Sequence, residues 1–260
     1  MKKTLTVVLL LSLSVSAFSQ GKKKRPDSIK RYSSSIVVGA NAAIRNSWVF
    51  NKNLKKWGED SKRQPGFGSM FGVQALYYIN NNIAVGINPS FGSLKQSYTG
   101  QDTIFGSNTG QVVTYESNTI FKTIDLPLYA KYVTEGGAYF ELGFNYGMVT
   151  SAKFTSIAGT SALFKADKVE TTSMWSSAYY APMIGFGFDM YLTDDLLFEG
   201  FLRTAYGINN MKGHDGRAYE GSTNAFGPFK LYDNPNYDSS VKTQFFWVGV
   251  GIGLIYRFDL

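Results

Sequence analysis

The chain has no cysteine and a single histidine, His214. The first absence excludes disulfides, thiolate metal sites, thiol nucleophiles and a lipidated N-terminal cysteine. The second leaves any imidazole-based dyad or His-rich metal site to be built around one residue in a Gly- and Asp-rich stretch. Charge is sparse, at 17% of residues. Beyond the first twenty residues no apolar run approaches the ~20 residues a spanning helix needs, which excludes a helical membrane protein. Composition therefore argues against most enzyme classes, and no cofactor or metal is expected.

The first twenty residues carry Lys2 and Lys3, an apolar stretch from Leu5 to Val15, and the triplet Ala17, Phe18, Ser19 before Gln20. This is the pattern of a cleaved secretory signal peptide over 1–20. A basic segment follows at 21–34, holding GKKKRPDSIKR from Gly21 to Arg31. It reads as a solvated periplasmic tail, with contact to lipid phosphates or a periplasmic polyanion as the sharper alternative. The remainder, 35–260, is expected to form one domain.

That remainder alternates with a period of two, the period of a β-strand. From Ala138 to Met148 one face reads Ala138, Phe140, Leu142, Phe144, Tyr146, Met148, and the other Tyr139, Glu141, Gly143, Asn145, Gly147. About eight such segments occur, including Ile36 to Arg45, Phe67 to Ile79, one from Ile83 to Gly92, Ile120 to Val133, Tyr180 to Leu192, Leu196 to Asn209 and Phe245 to Phe258. Connections alternate in length. Asn80 to Asn82, Glu135 to Gly137 and Thr193 to Asp195 are short, whereas Asn46 to Gly66, Ser93 to Thr119, Ser151 to Ala178 and Asn210 to Ser240 are long and polar. The expectation is an all-β protein: an eight-stranded antiparallel transmembrane β-barrel with short periplasmic turns and long extracellular loops, in the bacterial outer membrane.

A soluble barrel with an apolar interior would show the same alternation, so side-chain volume decides. An eight-stranded bore is only just wide enough for its own side chains, and the apolar face is loaded with Phe, Tyr, Leu and Ile. That face must contact lipid, with girdles of Tyr77, Tyr132, Tyr146, Tyr180, Tyr191, Tyr206, Phe246 and Tyr256 at its edges. The glycine-rich face must line the lumen, so Leu142→Arg is expected to cost far more than Gly143→Ser. Inward charges are then Arg45, Lys131, Arg203 and Arg257 against Asp125, Glu141, Asp189 and Glu199. Turn geometry sets Lys131 opposite Glu141 and Asp189 opposite Glu199; the like pair needs a cation, for which Arg203 and Arg257 are the candidates. A neutral network would plug the lumen; a gated ion or proton path is the alternative.

The segments TIDLPLYAKY (Thr123 to Tyr132), YFELGFNYG (Tyr139 to Gly147) and RTAYGINN (Arg203 to Asn210) resemble the PorT-type outer-membrane β-barrel family. Its pattern is an apolar-Pro-apolar strand ending in Lys-Tyr, then a glycine-bearing strand, then a late strand ending in Gly-apolar-x-Asn. The resemblance covers essentially the mature chain. It implies an outer-membrane barrel; one member class assists type IX protein secretion and most have no assigned activity, so an envelope or secretion-system partner is one expectation, and nucleic acid is not.

Gly249-x-Gly251-x-Gly253 has strand spacing rather than that of a phosphate loop. His214, Asp215, Asp233 and Asp238 match no known cation loop. Trp57, Trp175, Tyr219, Phe226 and Tyr232, in the long connections, are candidate partner-binding residues, with packing against the barrel rim as the alternative. A hydrolase would need a partner for His214 at recognisable spacing.

Overall fold

The computed structural model describes residues 34–51, 61–104, 111–158, 166–211 and 242–259. The expected signal peptide, the basic segment 21–33, Trp57, His214, Asp215, Tyr219, Phe226, Tyr232, Asp233 and Asp238 lie outside them. The described residues form eleven strands: β1 (Ser35–Asn51), β2 (Ser61–Gln64), β3 (Gly66–Tyr78), β4 (Ile83–Ile87), β5 (Ser90–Ile104), β6 (Gln111–Val133), β7 (Ala138–Ala158), β8 (Ala166–Glu170), β9 (Ala178–Tyr191), β10 (Leu196–Tyr206) and β11 (Thr243–Asp259).

They form a closed ring of eight antiparallel staves. β4 and β5 are one stave, both pairing with β3 on one side and β6 on the other. The interruption between them is Asn88-Pro89, where proline has no N–H to give the ladder. From β6 the ring continues through β7, β9, β10 and β11 and closes onto β1, which pairs with β3. Starting at Arg45 and stepping between paired residues (Gly249, Arg203, Gly185, Glu141, Lys131, Ala84, Tyr78) the path returns to β1 at Ser35. The ring thus closes with a stagger of ten residues, which tilts the staves by roughly 35–45°.

Side chains alternate as the period of two requires. Exposed on the outside are large apolar residues of every stave, among them Ile44, Phe71, Val85, Leu128, Leu142, Phe186, Leu202 and Val250. Phe91 is 68% and Leu128 64% exposed, values for which a water-facing surface offers no compensation. Such a continuous apolar belt on a closed barrel is the surface of a bilayer-spanning one. Short turns join the staves at one end. Asn80 Oδ1 accepts from the backbone N–H of Asn82 and Ile83 at 2.9 and 2.8 Å, and Gly137 adopts φ +85°, which favours glycine.

The other end departs from the sequence expectation. Most of the stretches expected as long loops at Ser93 to Thr119 and Ser151 to Ala178 are strand: β5 runs to Ile104, β6 starts at Gln111 and β7 reaches Ala158, with β8 beyond. β2 and β8 add themselves to the free edges of this extension, against β5 and β7. The staves outrun the hydrocarbon, so their outward positions turn polar there and the alternation that marks a strand fades. Thr171 to Trp175, including a 3-10 turn at Thr172–Met174, lie over the mouth beside Phe121 and Phe245.

Candidate functional site

Among the described residues, buried ionisable side chains concentrate in the lumen. Arg45, Asp125, Lys131, Glu141, Asp189, Glu199 and Arg203 are all buried there, although lumen-facing strands position them only as single residues among glycines. The registers give the reason. Arg45 and Arg203 share Gly249 as a cross-strand neighbour, Arg203 and Glu141 share Gly185, Glu199 faces Gly253, and Asp125 faces Gly147. Each long polar chain lies over the space that a neighbouring glycine leaves. A Cβ on Gly185 would stand 2.6 Å from Glu141 Oε2 and 3.1 Å from Arg203 Cγ.

Two ionic groups result. In the first, Arg203 donates Nε to Glu141 Oε2 at 2.7 Å and Nη2 to Oε1 at 2.9 Å, a bidentate pair. Lys131 Nζ lies 2.9 Å from both Asp189 Oδ2 and Glu199 Oε1 and sits 3.6 Å from the centre of the Tyr139 ring. Glu199 also accepts from the Tyr139 hydroxyl and Gln74 Nε2, both at 2.9 Å. Asn88, with its amide oxygen toward Arg203, accepts from Nη1 at 2.7 Å and from Asn41 Nδ2 at 2.8 Å. In the second group, nearer the strand extension, Arg45 Nη1 donates to Asp125 Oδ2 at 2.7 Å and Nη2 to Thr123 Oγ1 at 3.1 Å. Asp125 Oδ1 accepts from Asn145 Nδ2 at 3.0 Å and from the Tyr179 hydroxyl.

The expected cross-strand pairings are present, Lys131 against Glu141 and Asp189 against Glu199, but the ionic partners differ from the register partners. The cation between Asp189 and Glu199 is Lys131, not Arg203 or Arg257. Glu141 offers two oxygens in a plane, which suits the guanidinium fork of Arg203 better than an ammonium. The flexible stem of Lys131 is then free to reach across to the two carboxylates. Arg257, half-buried at the short-turn end, donates Nη1 to the Tyr191 hydroxyl at 3.3 Å and lies 5.8 Å from the Tyr78 ring centre. Tyr191 accordingly faces inward and is not a girdle residue; its odd number on β9 places it on the face of Asp189.

Trp175 follows the packing alternative rather than the partner-binding one. It is 4% exposed and packs edge-on to Phe121 at 4.7 Å and stacked on Phe245 at 6.2 Å. A residue so placed is packed among inward-facing aromatics and presents almost no surface to a partner. Nor is Gly143 a tolerant lumen glycine, since a Cβ there would meet Leu128 O at 2.4 Å and Tyr129 Cβ at 2.5 Å. Network members that sequence reasoning passed over are uncharged: Gln74, Asn88, Asn145, Tyr139 and Tyr179. For Tyr139, Asn145 and Tyr179 strand parity was the available signal, since each shares a face with a charged residue, whereas Gln74 and Asn88, in the segments Phe67 to Ile79 and Ile83 to Gly92, share theirs with none. Among the described residues no cluster of His, Asp and Glu is arranged to hold a metal ion.

No protein-family model matches the chain, and no curated protein matches it. Among solved structures it is similar to the outer membrane protein OprG from Pseudomonas aeruginosa, at 16% identity over 88% of this chain and 98% of that one, TM-score 0.40. It is similar to outer membrane protein AlkL, at 13% identity over 93% and 98%, TM-score 0.38. A third similarity is to Ail, the attachment invasion locus protein of Yersinia pestis, at 11% identity over 86% and 99%, TM-score 0.37.

Proposed function

We propose that this chain is a non-catalytic outer-membrane barrel, exported by a cleaved signal peptide. In this reading its lumen is closed by paired charges and its outer strand extension serves envelope structure or a protein partner. The observation that supports it is the pairing of the buried ions: each of the seven buried charged chains in the bore lies within 3.0 Å of an opposite charge, with Lys131 serving two carboxylates. Ions held this way resist separation, because removing one partner leaves its counterpart charged and unsolvated. The short-turn end is assigned to the periplasm and the strand extension to the exterior, as in other barrels of this kind. The PorT-type resemblance of the strand motifs extends the proposal to an accessory part in type IX secretion.

Conductance of purified protein in a planar bilayer tests it. The closed reading expects no steady channels from the wild-type protein. Steady channels whose amplitude changes in Lys131→Ala or Arg203→Ala would overturn it in favour of a narrow ion or solute path. Stoichiometric copurification of an envelope protein from solubilised membranes is the expected sign of the partner-binding role.

A further inference from the structure

Beyond the apolar belt, on the side of the strand extension, the outward surface is not uniform around the ring. On β1, β10 and β11 it is aromatic: Trp48 and Phe50 lie 5.3 and 5.9 Å from Phe246, ring centre to ring centre. On β5, β6 and β7 it is basic. The last apolar row there is Phe91, Ile124 and Met148; the next outward row is Ser93, Lys122 and Ser151, and the one after it Lys95, Ile120 and Lys153. Three lysines on three adjacent strands thus begin where the hydrocarbon surface stops. Lys122 and Lys153 are exposed and Lys95 half-buried.

We propose that Lys95, Lys122 and Lys153 form a binding site for the phosphate groups of an outer-leaflet lipid headgroup. The proposal rests on the membrane reading of the barrel. Paired strands lie ~4.8 Å apart and residues two apart along a strand are separated by about 7 Å, so Lys95 and Lys153 flank Ile120 at roughly 10 Å and the three flexible stems are long enough to bring their ammonium groups to one phosphate. Lysine is a compact phosphate-binding point charge, and at the belt edge its stem lies along apolar surface while its head reaches headgroup depth. Two acidic residues border the patch, and Glu170 offsets part of the charge of Lys153. Glu170 is opposite Lys153 in register and is engaged by Thr172 and, at 3.5 Å, by Ser151; Glu116 lies two rows farther out and accepts from Asn118 at 3.2 Å. A phosphate attached to lipid is favoured over a free one because the row immediately beneath is Phe91, Ile124 and Met148, which seats acyl chain.

The test reconstitutes the full chain in phosphatidylcholine vesicles, alone or with a diphosphorylated lipid A, its dephosphorylated form, or added inorganic phosphate. The readout is the temperature at which the folded, heat-modifiable gel band is lost. The site expects an upward shift with the diphosphorylated lipid only, and loss of that shift in the triple variant K95Q/K122Q/K153Q, whose midpoint in phosphatidylcholine alone stays that of wild type. No shift, an equal shift in the triple variant or with dephosphorylated lipid, or a shift reproduced by inorganic phosphate overturns the proposal. Failure of the wild-type chain to enter phosphatidylcholine vesicles at all would instead overturn the membrane reading and take the site with it.

Discussion

Replacing Arg203 by alanine strands the buried Glu141 without its partner. The expected loss is about 3–5 kcal/mol, the range for breaking one side of a buried ion pair, measured as the urea midpoint of the folded gel band. Replacing both partners, as in Arg203→Leu with Glu141→Leu, is expected to recover most of that loss, because no lone charge remains. The glycines beside these ions give a sharper contrast. Gly185→Ala pushes a methyl group into the Arg203–Glu141 pair and is expected to cost about 1–3 kcal/mol. Gly136→Ala, in a turn where an added Cβ meets nothing within 4 Å, is expected to be neutral by the same assay. At this scale the charged membership of the lumen was legible, since strand parity sets Arg45, Asp125 and Glu199 on the face opposite the bulky apolar one and side-chain volume puts that face inside. Which cation meets which carboxylate was not, because that depends on reach across the bore and on the fork of Arg203, neither of which has a sequence period.

At the scale of a strand, β7 separates its two faces for ten residues and then crosses out of the lipid. Leu142, 59% exposed in mid-belt, is expected to cost about 2–4 kcal/mol when changed to arginine, and the same change nearer the belt edge much less; urea titrations in vesicles compare the two. The ends of the strands were the least legible feature. Alternation with a bulky outward face marks a strand only while that face meets hydrocarbon, and the outward positions of β7 past Met148 (Ser151, Lys153, Thr155) and of β6 before Ile120 (Asn118, Glu116, Thr114) carry no apolar run. The aromatic content of the stretch before β9 was visible, but whether Trp175 turned inward was not, because the turn at Thr172–Met174 has no periodic pattern. Its removal tests that placement: Trp175→Ala is expected to cost about 3–5 kcal/mol, as for a large buried aromatic.

For the whole molecule, the belt and the lumen are two halves of one requirement. Eight staves leave a bore of fixed width, so the bulky set of side chains goes outside and the thin set inside, and the few long polar chains that enter must be matched in charge. That division was legible from composition along the alternation. The stagger of ten residues was not, since it is a property of the closed ring and not of any one strand.

Closure has a consequence for biogenesis. The seam between β1 and β11 joins Ser35 with Asp259 and Asn51 with Thr243 through seventeen consecutive pairs, uniting the earliest and the latest parts of the cylinder to be synthesised. Until the final strand arrives, both open rims offer unpaired backbone amides and carbonyls, which hydrocarbon does not tolerate. The nascent polypeptide therefore has to be shielded from premature insertion, and sealing is an all-or-none event that awaits its last segment.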